Sequence, residues 1–310
     1  MRQLLDVDEL TPGEIGGILR DAARLRRAYE SGRRSTRLRG RRVALLFEEP
    51  STRTRLSFEM AARALGAETF VVDPGRSSLV KGETLADTAR TLASLGAHVL
   101  VLRHHRAGAP WVAARHFAGS VVNAGDGWHA HPTQALVDLF TLRSTFGTPD
   151  LRGRKVAIVG DLLHSRVARS DAWALTGDGA EVWACGPTAW LRCWDELAAG
   201  LPTGRRLEVT DDASAALRDA DVVMALRVQK ERMSGPDLSL ADYVARYQVT
   251  VARMAAARPE ALLMHPGPVN EGVEVSAAVA RGPHSLVNEQ VRNGVPVRMA
   301  VLARLAAGGR

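Results

Sequence analysis

Val43-Ala44-Leu45-Leu46-Phe47-Glu48-Glu49-Pro50-Ser51-Thr52-Arg53-Thr54-Arg55 is the stretch on which the fold turns. Five apolar residues in a row read as a buried strand, Glu48 to Pro50 as a turn, and Arg53 to Leu65 as a helix closed by Gly66. Ser51 stands where it can cap that helix. The first free amides and the positive end of the helix dipole then face the same spot, so the turn is built to hold an anion. Three hydroxyls and two guanidiniums within Ser51 to Arg55 add donors suited to a phosphate, and arginine can bind it bidentately. The plainer alternative is a capped helix with a charged face.

Outward from this stretch, short apolar runs alternate with helical ones. Thr11-Pro12-Gly13-Glu14 has the form of a capping box and opens a helix to about residue 31, with Ile15, Ile18, Leu19, Ala22 and Leu25 at helical spacing. Strands are expected at 69–72, 99–102 and 120–122, with a helix at 85–95. A second series follows Gly147-Thr148-Pro149-Asp150, with strands at 155–160, 181–184, 207–209, 222–225 and 262–264 and helices near 166–175 and 213–217. The expected fold class is α/β: two similar three-layer α/β domains, each with a mostly parallel sheet, linked by crossing helices. The expected boundaries are 1–146, 147–286 and a C-terminal helix over 287–310 that packs back on the first domain.

With 310 residues, 46% of them hydrophobic, the chain is too long for one ordinary core and too apolar to be largely disordered. Met1 to Glu9 turns acidic where a secretory signal needs an apolar run, so neither secretion nor a membrane span is expected. Cys185 and Cys193 have no histidine at ligand spacing, which argues against a zinc site or disulfide framework and fits a reducing, cytoplasmic compartment. The formal charge of +7 comes from 38 arginines and only three lysines, spread along the chain without a basic tail. Nucleic acid is therefore not an expected partner.

Val156-Ala157-Ile158-Val159-Gly160-Asp161 resembles the start of a dinucleotide fold but lacks G-x-G-x-x-G, and no phosphate-loop or nucleophile-elbow motif occurs. Ser77 to Thr84 is a polar loop carrying Lys81, a compact charge in an arginine-rich chain or simply a solvated lysine. Arg103 and His131-Pro132-Thr133-Gln134 follow neighbouring strands, at the sheet edge where open α/β folds bind ligands. In the second half Asp161-Leu162-Leu163-His164-Ser165-Arg166 and Arg227-Val228-Gln229 also follow strands. Two arginines there can clamp a dicarboxylate, or form surface ion pairs. His265-Pro266-Gly267-Pro268 makes a stiff turn whose carbonyls can accept hydrogen bonds from an amide.

Together, S-T-R-T-R at 51–55, K-G-E-T at 81–84, H-P-T-Q at 131–134, R-V-Q at 227–229 and H-P-G-P at 265–268 resemble the catalytic chains of the aspartate carbamoyltransferase family over nearly the whole length. The resemblance implies transfer of a carbamoyl group from carbamoyl phosphate to L-aspartate, an early step of pyrimidine synthesis. It implies that Ser51, Thr52, Arg53, Thr54 and Arg103 bind the phosphate, and that Thr54, Arg103 and His131 polarise the carbamoyl oxygen. Gln134 and the Pro266-Gly267-Pro268 turn would hold the carbamoyl nitrogen. Arg166, Arg227, Gln229 and Lys81 would hold aspartate, Ser77 and Lys81 being supplied by a neighbouring subunit of a trimer. No metal or cofactor is expected, and because the donor is already activated no serine or cysteine nucleophile is required. Larger assemblies with regulatory chains or a dihydroorotase are compatible with this resemblance.

The rival within the fold is an ornithine carbamoyltransferase, which usually reads H-P-C-Q and H-C-L-P and lacks the K-G-E lysine. Thr133, Gly267 and Lys81 count against it. A silent paralogue docked on dihydroorotase is the rival from another class. One departure is Glu271, an acid where many bacterial relatives carry an arginine; expected near the aspartate side, it bears on affinity or loop closure and not on the reaction class. No role is assigned to the tryptophan-rich region 178–204.

Overall fold

The structure is a computed structural model describing residues 1–33, 35–229 and 239–308. Lys230 and the last two residues of the expected terminal segment lie outside the described residues. Two compact units emerge, Met1–Phe140 with Val291–Arg310, and Thr141–Gln290. The chain passes from one to the other inside two helices, Pro132–Phe146 and Val287–Gly308.

The first unit holds strands β1 (Arg42–Phe47), β2 (Glu68–Val72), β3 (Val99–His104) and β4 (Ser120–Asp126) in the order β2-β1-β3-β4, all parallel. Beyond Arg42 every β1 residue is buried, as a parallel strand covered on both faces must be. On one face Ala44, Leu46, Leu100 and Leu102 pack against Ala89 and Leu92 of helix Leu85–Ser94 and Ala113 of helix Ala109–His116. Helix Ala109–His116 is not among the expected elements. Adjacent parallel strands need a crossover, so the gap between β3 and β4 demanded one.

The opening helix, Pro12–Glu30, has the expected capping box: Glu14 N–H donates to Thr11 Oγ1 (3.2 Å) and Thr11 N–H to Glu14 Oε2 (3.0 Å). It is tied within the same unit to the terminal helix, where Arg304 Nε lies 2.8 Å from Asp21 Oδ2.

The second unit holds β5 (Lys155–Val159), β6 (Glu181–Cys185), β7 (Arg206–Thr210), β8 (Val222–Ala225) and β9 (Leu262–Met264), ordered β7-β6-β5-β8-β9 and again parallel. Ala157, Val159, Val223 and Ala225 share a core with Tyr243 and Tyr247. These tyrosines, one turn apart, anchor helix Leu240–Tyr247, which is also not among the expected elements. The tryptophan region now has a structural place. Trp190 packs on Tyr243 (ring centroids 5.6 Å apart), and buried Trp194 donates its indole N–H to Leu162 O (3.2 Å).

Candidate functional site

In the first unit the chain leaves β1 for β2 on one side and later returns to β3 on the other. That reversal opens a crevice at the carboxyl ends of β1 and β3, where open α/β sheets take ligands. Phe47 pairs with Arg103 in register, and Glu48 N–H donates to Arg103 O (2.9 Å). The 48–51 turn and Arg103 therefore lie side by side. Arg103 sits inside β3, not beyond it, because pairing continues to His104.

The turn leads into helix Thr52–Ala64, whose 13 residues give it a full dipole at this end. One expectation is corrected here: Ser51 occupies the N-cap position but its side chain makes no cap hydrogen bond. The orphan amides of the first helical turn thus keep their capacity for an anion. Thr52 and Arg53 are exposed, Ser51 is half-buried and Thr54 is buried. Arg103, with 11% of its side chain exposed, places Nη2 2.8 Å from Glu49 Oε1 and Nη1 3.3 Å from Ala124 O.

His131 and Gln134 reach the same end of the sheet by a loop that Asp126 fixes. Asp126 Oδ1 accepts from Asn123 Nδ2 (2.8 Å) and Ala130 N–H (3.2 Å), and Oδ2 from Gly108 N–H (2.7 Å). Burial alone raises the Asp126 pKa, but hydrogen bonds from His129, Asn123 and Gly108 hold it below the usual carboxylate value. His131 is buried just before helix Pro132–Phe146, and Gln134 Nε2 donates to Asp138 Oδ1 (2.9 Å). Ser77 precedes a 3-10 turn, Ser78–Lys81, that Lys81 closes; Ser77 Oγ donates to Pro74 O (3.0 Å), and Lys81 is exposed.

Glu48, His104 and His105 form a further cluster at metal-ligand spacing. Its hydrogen bonding opposes that reading. Arg106 N–H donates to His104 Nδ1 (2.9 Å), so neutral His104 carries its proton on Nε2, which lies 3.0 Å from Glu48 Oε2. A metal at Nε2 would need the proton on Nδ1, opposite another donor. The same bond from His104 holds Glu48 below the usual carboxylate pKa.

The second unit repeats the device. The reversal lies between β5 and β8, and Gly160, with φ 137°, lets the turn after β5 press on Leu226, where an added Cβ would meet Leu226 Cβ and O at 3.0 Å. Asp161, fully buried, accepts from His164 N–H (3.2 Å), His164 Nδ1 (2.9 Å) and Gln229 N–H (3.4 Å), while Gln229 Nε2 donates to His164 O (3.0 Å). This lattice joins the loops carrying Arg166 and Arg227, both half-buried. Ser165 Oγ caps the helix that Arg166 begins. Asp161 and Trp194 stand in the sequence without an assigned role, and nothing in the sequence singles out Asp126 or Asp138. Their signal was only position beside a strand end or a motif.

After β9, His265 Nδ1 accepts from Gly267 N–H (2.8 Å) and Nε2 faces Glu274 Oε1 (3.1 Å), both side chains buried. Glu274 Oε1 also accepts from Asn270 N–H (2.5 Å). The 265–268 turn is held from within, its Gly267 donor used and the Pro266 and Pro268 nitrogens without protons. Such a turn offers carbonyl acceptors. Glu271 is not adrift: Arg281 grips it bidentately, Nε–Oε1 3.0 Å and Nη2–Oε2 2.8 Å, on the exposed surface. Both cysteines are free thiols, and among the described residues no helix is long and apolar enough to cross a membrane.

With this geometry in place, two family models match, "Aspartate/ornithine carbamoyltransferase, carbamoyl-P binding domain" over residues 2–144 and "Asp/Orn binding domain" of the same family over 152–305. An aspartate carbamoyltransferase catalytic subunit from Roseiflexus castenholzii is 47% identical, with 98% of this chain and 95% of the relative aligned. Among solved structures, an ornithine carbamoyltransferase from Pyrococcus furiosus superposes with a TM-score of 0.89 at 31% identity, over 99% of this chain and 97% of that one. The Trypanosoma cruzi aspartate transcarbamoylase in complex with carbamoyl aspartate and phosphate gives a TM-score of 0.86 at 31% identity, over 97% and 94%.

Proposed function

This chain belongs to the aspartate/ornithine carbamoyltransferase family, and from that premise we propose that it transfers the carbamoyl group of carbamoyl phosphate to L-aspartate, giving N-carbamoyl-L-aspartate and phosphate. The observation that carries the reading is the helix start at 51–55, which follows a strand whose last residue, Phe47, pairs in register with Arg103 at the reversal point of the first sheet.

The aspartate amine attacks the carbamoyl carbon, the bond from that carbon to the phosphate oxygen breaks, and phosphate leaves. No covalent enzyme intermediate is needed; the work is alignment, oxyanion stabilisation and reception of the anion. Ser51, Thr52, Arg53, Thr54 and Arg103 take the phosphate. Thr54, Arg103 and His131 donate to the carbamoyl oxygen as it gains charge. Gln134 and carbonyls of the Pro266-Gly267-Pro268 turn accept from the carbamoyl nitrogen. Arg166, Arg227 and Gln229 hold the aspartate carboxylates, joined by Lys81. The departing phosphate accepts the amine proton, so no side chain need serve as general base. The domain roles follow: residues 1–146 with the terminal helix bind carbamoyl phosphate, and 147–286 bind aspartate.

Ser77 and Lys81 act in the site of a neighbouring copy, making a homotrimer the working unit in the cytoplasm. Exposed apolar side chains in the first unit support such an assembly: Leu56 and Met60, one turn apart on the helix that carries the phosphate turn, and Val80 beside Lys81.

The Pyrococcus likeness concerns the fold that both branches share. Thr133, Gly267 and Lys81 favour aspartate as acceptor, and so does a pair of arginines, which suits a second carboxylate better than a cationic side chain. The test supplies carbamoyl phosphate with aspartate or with ornithine and identifies the product by mass. Carbamoyl aspartate is expected; citrulline, or no product from the assembled protein, refutes the assignment.

A further inference from the structure

We propose that Asp138 fixes which end of the Gln134 side-chain amide faces the ligand, and that this makes the site select a carbamoyl group over an acyl group of the same shape. The inference rests on the reading that Gln134 receives the carbamoyl nitrogen. Residues 134 and 138 lie four apart on helix Pro132–Phe146 and so share a face. Gln134 Nε2 lies 2.9 Å from Asp138 Oδ1.

A primary amide is a donor at one end and an acceptor at the other, and exchanging the two ends changes its outline little. An ionised carboxylate removes that freedom, because it can only accept. Asp138 therefore takes the nitrogen of Gln134 and leaves Oε1 directed elsewhere as an acceptor. A carbamoyl –NH2 can donate to it. The methyl of an acetyl group cannot, and its binding covers the half-buried Gln134 acceptor without giving it a partner.

Asp138 needs its charge for this, and the surroundings supply a counter-charge. Asp138 is fully buried, and Arg298 is only 4% exposed, its guanidinium 5.2 Å over the Phe58 ring. Gly294 makes room for it: a Cβ there would stand 2.5 Å from Arg298 Nη1. Burial pulls the Arg298 guanidinium down to about 10, which leaves it charged at neutral pH, and the negative charge of Asp138 works against that fall. An attraction between Arg298 and Asp138 that served structure alone would fasten the terminal helix to helix Pro132–Phe146 but would not discriminate between ligands.

The test compares two stable phosphonates that differ only in –NH2 against –CH3, phosphonoacetamide and 2-oxopropylphosphonate, by titration calorimetry on the assembled full-length protein. The parent should prefer the amide by about tenfold or more, the penalty of one unpaired buried acceptor. Asp138→Leu should remove most of that preference, as should Gln134→Leu, and the double variant should lose no more than either single one. A parental ratio in Asp138→Leu, or additive losses in the double variant, overturns the proposal. A parent that binds both phosphonates equally overturns it too, whereas a parent that binds neither overturns the underlying functional reading as well. Should Asp138→Leu fail to fold, a neutron structure of the parent with phosphonoacetamide decides: deuterium on the Gln134 atom facing Asp138 supports the assignment, and oxygen there refutes it.

Discussion

Arg103 Nη2 stands 2.8 Å from Glu49 Oε1, two residues before Ser51 and the helix start. The guanidinium that an incoming anion would meet is already held in place by an acid on the neighbouring strand end. Mostly buried, the pair loses little to solvent screening and keeps the fork of Arg103 at the mouth of the crevice.

If Arg103 donates to the carbamoyl oxygen as proposed, replacing it by alanine removes a donor whose bond strengthens as charge develops there. We expect Arg103→Ala to lower turnover by about 10²- to 10³-fold, the usual loss of one oxyanion donor. Steady-state kinetics with the variant confirmed as folded checks this; a loss below threefold would remove Arg103 from the reaction.

Arg227→Ala should act on the acceptor. Loss of one charge-assisted contact to a carboxylate raises the KM for aspartate about tenfold or more, with a smaller effect on carbamoyl phosphate. Saturation curves for the two substrates, each at a fixed excess of the other, separate these effects. An unchanged aspartate curve rules out the clamp.

If Lys81 serves a neighbouring copy, two defects on different chains can complement. Arg53→Ala and Lys81→Ala should each be inactive alone, yet regain part of the activity when dissociated, mixed and reassembled. Verified mixed trimers that stay inactive assign both residues to the site of their own chain.

Stability should fall with pH because of Asp6. Burial, reinforced by Asp8, pushes the Asp6 carboxyl from 3.8 up to about 7. The folded chain therefore keeps a proton that the unfolded chain has lost between those values, and the stability this gives is full below about pH 4 and lost as pH rises through about 7. Asp6→Asn keeps the Oδ1 that accepts from Val7 N–H (2.6 Å). It should be more stable than the parent at pH 8 and equal to it near pH 4, the gap growing by at most about 1.4 kcal/mol per pH unit. Urea titrations at both pH values decide; a constant gap contradicts the assignment.

Thr11→Ala tests the opening helix apart from the chemistry. Losing one half of its capping box should cost about 1 kcal/mol of stability with kcat unchanged. A denaturation midpoint identical to that of the parent would show that the terminal helix, through Arg304 and Asp21, holds this end by itself.

The sequence carried the local physics. Alternation of apolar runs with helical spacing was enough for two parallel α/β sheets, because a strand buried on both faces must be apolar along its length. The 51–55 turn declared itself because a helix start and its donors are contiguous in the chain, and the same holds for the capping box at Thr11. Helix Ala109–His116 escaped because eight residues carry too short a pattern, although strand pairing required it. Asp126, Asp161 and Asp138 were illegible as functional supports for a different reason. An aspartate in sequence has no direction, and its partners are 3 to 68 residues away. Only the folded chain, by setting strand order and register, decides that Phe47 lies opposite Arg103, that Asp161 joins two loops, and that the amide of Gln134 has one face spoken for.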